Sequence, residues 1–220
     1  MATTTITPAK PESSEGFGGG HVPGGNGFGG GGDSGLPEYR VSGRTYQLGM
    51  WFALTGIVML FAAFTSAMVV RRGMSYDWVS IAVPRLFWGN TGILLASSLT
   101  LEYSRRALSA HAMENFIRWL GATVVLGVAF LAGQLVVWRE LAARGIYLAT
   151  NPSSSFFYVL TAAHGVHLLG GVLGLGYVVI HAGRMARGRE RRTALDVTAI
   201  YWHFMDALWI YIFFLLTKWA

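Results

Sequence analysis

The stretch "FFYVLTAAHGVHLLGGVLGLGYVVI", Phe156 to Ile180, decides the fold class. Apart from two tyrosines, its only titratable side chains are His164 and His167. A helix rising about 1.5 Å per residue needs roughly 20 residues to cross a hydrocarbon core of about 30 Å, so this run is long enough to span a membrane. Its apolar residues follow one another without alternation, which favours a helix, able to satisfy its own backbone in lipid, over a barrel strand.

Four further runs resemble it, at about Leu48 to Val70, Val83 to Leu101, Phe116 to Val137 and Val197 to Thr217. The predicted fold class is an all-α membrane protein, a five-transmembrane-helix bundle over residues 37–220. Composition agrees: 53% of the 220 residues are hydrophobic and 13% charged. Aromatic residues near the run ends, among them Trp51, Trp78, Trp88, Trp119, Trp138, Tyr147 and Trp202, are expected in interfacial belts. Residues 1–36 are rich in Thr, Ser, Pro and Gly and bury too little apolar surface to offset their ordering entropy, so a disordered Gly-rich tail is expected there.

The chain has no cysteine, which excludes disulfides, thiolate metal sites and cysteine nucleophiles. Its formal charge of +6 sits in short clusters between the apolar runs, a pattern of membrane topology and not of a nucleic-acid surface. Of the 17 Lys and Arg residues, eleven fall on the side of the N-terminus, which places that end in the cytoplasm and the C-terminus outside. The segment "GRMARGRERR" carries most of this bias, and Arg184, Arg187, Arg191 and Arg192 within it are candidate contacts for anionic lipid head groups.

Ionisable groups within hydrocarbon are costly unless paired, so His164, His167, His203 and Asp206 form a candidate polar cluster. Counting about 1.5 Å per residue, His167 lies roughly 16 Å and Asp206 roughly 17 Å below the outer surface. A hydrogen bond from Asp206 to His167 or His164, between the antiparallel fourth and fifth helices, is therefore expected. In the fourth helix Gly170 and Gly174 have small-xxx-small spacing suited to close helix approach. In the second, Asn90 and Ser97 lie seven residues apart on one face and are assigned to helix packing.

His164, His167 and Asp206 could form a two-His-one-carboxylate metal set, but their apolar surroundings offer no acidic support, and a structural cluster is the better reading. His164 and His203 could in principle be axial ligands of a single haem. No serine elbow, HExxH motif or internal repeat is present, so no catalytic residue, cofactor-binding residue, metal ligand or small-molecule substrate is assigned.

Four motifs, "NTGILLASSLT" from Asn90, "GQLVVW" from Gly133, "SSSFFYVLTAAHGVHLLGG" from Ser153 and "YWHFMDALWIYIFF" from Tyr201, together resemble subunit III of the haem-copper oxidases, in its shorter five-helix form. The likeness runs from Leu48 to Trp219. It implies a bacterial inner-membrane protein with no haem or copper of its own. Such a chain packs beside subunit I, which holds the haems and one copper site. Subunit II holds the other copper and receives electrons from cytochrome c. The implied tasks are stabilising subunit I, holding phospholipid and supporting proton uptake. Subunit III of the quinol oxidases is closely similar and is the alternative within the superfamily; a monohaem cytochrome is the alternative outside it. The family's glutamate in the first helix is replaced here near Gly56 or Ile57, and a second carboxylate near Val137 or Trp138, so roles resting on those acids lose their residues.

Overall fold

A computed structural model describes residues 43–74, 76, 78, 84–181 and 188–219. The Gly-rich tail, and Arg184 and Arg187, lie outside the described residues. Five helices follow in order: α1 (Gly43–Met74), α2 (Arg85–Ser109), α3 (Met113–Ala143), α4 (Pro152–His181) and α5 (Gly188–Trp219). No strand occurs among the described residues. The first, third, fourth and fifth apolar runs each lie within a longer helix, and α2 starts two residues into the second run and extends eight residues past its end; a helix that ended inside lipid would leave its terminal N–H and C=O groups without partners.

The helix ends show how the chain resolves that demand. At the start of α4 the Asn151 side-chain oxygen accepts from the Ser154 backbone N–H at 2.8 Å, and the Ser154 hydroxyl oxygen accepts from the Asn151 N–H at 3.1 Å. Pro152, at the first helical position, has no N–H to leave unpaired. Beyond α3, Ile146 N–H reaches Leu141 C=O and Gly145 N–H reaches Ala142 C=O, both at 3.0 Å, with Gly145 at φ 77°. The turn after α2 repeats this closure with Ala112 on Ala107 and His111 on Leu108, but there the left-handed position is His111, at φ 57°.

Helices α2, α3, α4 and α5 close a ring in which each touches the next, and α1 lies outside it against α4 and α5. Four helices, α1, α3, α4 and α5, are long and apolar enough to cross a membrane; α2 is not, by its composition. That departs from five equally apolar spans. Of the polar residues that lower the hydropathy of α2, Asn90, Ser97 and Ser104 are turned onto its neighbours, whereas Arg85 and Arg106 are exposed. Phe87, Asn90, Leu94, Ser97, Leu101, Ser104 and Leu108 are all buried.

The ring's interior is aromatic. Trp202, Trp209, Phe87, Phe116, Phe130 and Phe157 are fully buried. Trp202 therefore belongs to the core and not to an interfacial belt, whereas Trp51 and Trp88 are exposed. Phe130 meets Trp209 edge to face at 4.9 Å between ring centres, and Phe87 stacks on Phe213 at 5.2 Å. Glycine makes room for the largest rings. A Cβ on Gly127 of α3 would stand 2.7 Å from the Trp202 ring, and one on Gly171 of α4 would stand 3.0 Å from Tyr201 and 3.3 Å from Trp202.

Candidate functional site

Helix α2 carries its polar residues in two columns of seven-residue spacing, the repeat that keeps one face toward one neighbour. In the column Asn90, Ser97, Ser104 the first and last residues bond α3. The Asn90 amide donates to the Phe130 carbonyl at 3.1 Å and reaches Gln134 Oε1 at 3.5 Å, and the Ser104 hydroxyl donates to the Phe116 carbonyl at 3.2 Å. The Asn90 side chain rests on Gly133, where a Cβ would collide with its oxygen. Thr100 adds a hydroxyl contact to Thr123 at 2.9 Å.

The column Thr91, Ser98, Arg105 faces α5. Thr91 Oγ1 accepts from the Trp209 indole N–H at 3.1 Å. Ser98 Oγ and His203 Nδ1 are 2.7 Å apart, and Arg105 Nη2 meets Asp196 Oδ1 at 3.1 Å. Ser97 joins this seam by accepting from the Trp202 indole N–H at 3.1 Å. As the numbers rise along α2, their partners' numbers fall along α5. The two helices are thus antiparallel and in fixed register over about 21 Å, the rise from Thr91 to Arg105.

The expected cluster does not converge. Asp206 is 5% exposed, and neither carboxylate oxygen has a hydrogen-bond partner among the described residues. It lies on the Ser98 side of α5. Ser98 has a single hydroxyl proton, and the closest contact of that hydroxyl is with His203. His164 is fully buried with both ring nitrogens unpartnered, its ring 4.8 Å from that of Trp209 and 6.0 Å from that of Phe130. His167 Nδ1 bonds the Ala163 carbonyl of its own helix at 2.7 Å, and its ring meets Phe61 of α1 at 6.0 Å. The expected bond from Asp206 to His167 or His164 is therefore absent. Equal depth fixes the level of a residue but not its direction around the helix axis, and α5 turns this side of itself toward α2.

His164 and His203 engage different neighbours, one wrapped in aromatic rings and the other bonded to Ser98. Among the described residues no group of three or more His, Asp or Glu side chains is arranged to hold a metal ion. Gly170 and Gly174 face α5 at ordinary contact distance, 3.9 Å from Tyr201 and Thr198 for an added Cβ, while the close approach is at Gly171. Tyr201 instead donates its hydroxyl to the His167 carbonyl at 2.7 Å. Arg191 approaches Met113 Sδ at 3.5 Å, and Arg192 is exposed.

Sequence reasoning placed Ser98 and Thr100 on the polar, packing side of α2, but missed Thr91, Arg105, Trp209 and Asp196 as contact residues. The signal was present as two adjacent seven-residue columns on α2 and as the matching spacings of Asp196 with His203 and Trp202 with Trp209 on α5.

The family described as cytochrome c oxidase subunit III matches residues 42–220, a range that takes in all five helices. The chain belongs to the cytochrome c oxidase subunit III family. It is similar to cytochrome c oxidase subunit 3 of Thermostichus vulcanus, 31% identical over 187 residues, covering 82% of this chain and 87% of that one. It is also similar to the subunit 3 proteins of Bacillus sp. (strain PS3), 28% identical over 79% of this chain and 85% of that one, and of Bacillus subtilis (strain 168), 27% identical over 80% and 87%. Of the two positions near which the resemblance sets a first-helix acid, Gly56 faces open space, whereas Ile57 is buried.

Proposed function

We propose that this chain is the non-catalytic subunit III of a cytochrome c oxidase, a membrane scaffold that packs beside the haem- and copper-bearing subunits I and II. The observation that carries the reading is the family match across the whole described bundle, residues 42–220. The use of the polar side chains supports it. Thr91, Ser97, Ser98, Asn90 and Ser104 bond to neighbouring helices of the same chain. Groups used this way hold helices in register.

In this reading α2 is the fifth membrane-crossing helix, carried by the ring despite its polarity. The protein resides in a bacterial inner membrane with its N-terminus in the cytoplasm, as the distribution of Lys and Arg favours. Stabilisation of subunit I, retention of phospholipid and support of proton uptake are the tasks assigned to it.

Purification in mild detergent through an affinity tag tests the proposal. A haem-bearing subunit I should accompany the chain. The chain separated from its companions should show no Soret absorbance. Absence of any haem-bearing companion, or a stoichiometric Soret band on the isolated chain, would overturn it.

A further inference from the structure

At the end of the bundle where α1 stops and α4 begins, a groove of about 630 Å³ runs between Ala67 and Arg71 of α1 and Asn151, Pro152, Ser155 and Phe156 at the start of α4. Arg71 is the one charged residue in its lining. The connection from α3 to α4 supplies a further part of the wall, and on that connection Tyr147 and Leu148 are exposed, at 59% and 53%.

The connection is braced from within. Tyr147 N–H donates to Thr150 Oγ1 at 2.8 Å, and Thr150 N–H returns to the Tyr147 carbonyl at 3.1 Å. The Tyr158 hydroxyl donates to the Ile146 carbonyl at 2.9 Å, and the Ser155 hydroxyl to the Leu148 carbonyl at 2.6 Å. None of these bonds uses the side chain of Tyr147 or Leu148, so the backbone presents both without their help. Apolar groups held in place before binding lose little freedom on contact, and aromatic and Arg side chains are enriched in protein interfaces.

Charge selects the kind of partner. By chain position, six Lys and Arg residues belong to this end of the bundle, Arg71, Arg72, Arg85, Arg139, Arg144 and Lys218, against two acids, Asp77 and Glu140. Glu140 is bonded to Arg144. Such a surface attracts and orients acidic partners. The α3–α4 connection lies past the last turn of α3 and ahead of the first turn of α4, outside the apolar spans, so a lipid chain seated on it would have to leave the hydrocarbon.

We propose that this groove docks a segment of a partner polypeptide lying outside the membrane, an acid-bearing segment that sets an apolar side chain against Tyr147 and Leu148 and a carboxylate toward Arg71. The site rests on the membrane-subunit reading above. It differs from contacts between membrane-crossing helices in its place and in the charge it selects.

The test is photo-crosslinking in the purified oxidase complex, with p-benzoylphenylalanine in place of Leu148 and the adduct mapped by mass spectrometry. The adduct should fall on an extramembranous segment of a companion chain that contains Asp or Glu. Adding Tyr147→Asp should lower its yield roughly tenfold, since it puts a like charge before the acid and removes an apolar anchor. Raising the salt from about 0.1 M to about 1 M shortens the screening length from ~10 Å to ~3 Å and should lower the yield as well.

An adduct found chiefly on phospholipid, on a second copy of this chain or on a transmembrane segment of a companion would overturn the proposal. So would the absence of any adduct, or a yield that Tyr147→Asp leaves unchanged. The Tyr147 side chain takes no part in the bonds that brace the connection, so the variant leaves the fold in place. Failure of the subunit reading itself would show separately, as the absence of a haem-bearing companion before irradiation.

Discussion

Helix α5 meets its neighbours in two ways. Toward α2 it presents a seam of hydrogen bonds, Thr91 with Trp209, Ser97 with Trp202 and Ser98 with His203. Toward α3 and α4 it presents Trp202 and Tyr201 against Gly127 and Gly171. The first contact fixes register through directional bonds. The second fixes distance through volume, because lipid supplies no hydrophobic drive and association depends on close packing. The indoles of Trp202 and Trp209 take part in both, apolar body on one side and N–H on the other.

This contrast predicts a ranking, readable as the change in unfolding free energy in detergent. Trp202→Ala should cost most, about 3–5 kcal/mol, because it empties a buried site and frees Ser97 from its donor. A loss below 1 kcal/mol would show that the ring tolerates a void at its centre. Gly127→Ala should cost about 1–3 kcal/mol, since the new methyl meets a ring enclosed on all sides. If the variant were as stable as wild type, the volume-fixed seam would be looser than its geometry implies.

The hydrogen-bonded seam should respond less to any single change. A double-mutant cycle on Ser98→Ala and His203→Ala should give a coupling of about 0.6–1.7 kcal/mol. The matching cycle on His167→Ala and Asp206→Ala should be additive within about 0.5 kcal/mol, and a larger coupling would restore the helix α4–α5 clamp that the sequence suggested. Smallest of all, His111→Gly should raise stability by somewhat less than 1 kcal/mol, because the left-handed C-terminal position of α2 suits glycine as Gly145 does after α3.

The apolar runs were legible in the sequence because spanning lipid is a demand on length and composition, which a single chain displays openly. Neighbour choice was less legible. In lipid both the outward and the packed face of a helix are apolar, so α4, whose only titratable groups between Tyr158 and Tyr177 are two histidines, gives little sign of which side meets α5. Chain order suggested α4 as the partner of Asp206, while the polar columns of α2 pointed to α5 by a spacing that carries no label of its recipient. Gly170 and Gly174 do face α5, but a spacing of four is common and does not show which glycine lies closest; the deciding feature at Gly171 is a specific ring above it.

Helix α1 has consequences for the order in which the molecule can be made. Among the described helices it touches α4 and α5 alone, the last two to be synthesised. While α2 and α3 can pair as a hairpin as soon as both are inserted, α1 must wait in the bilayer as an isolated span, its Phe61 and Leu54 facing lipid or an assembly factor until the final helix arrives. A nascent chain stopped before α4 would thus contain a settled hairpin and one unattached helix, exposed to membrane proteases, and the commitment of the subunit to its fold is delayed until the end of translation.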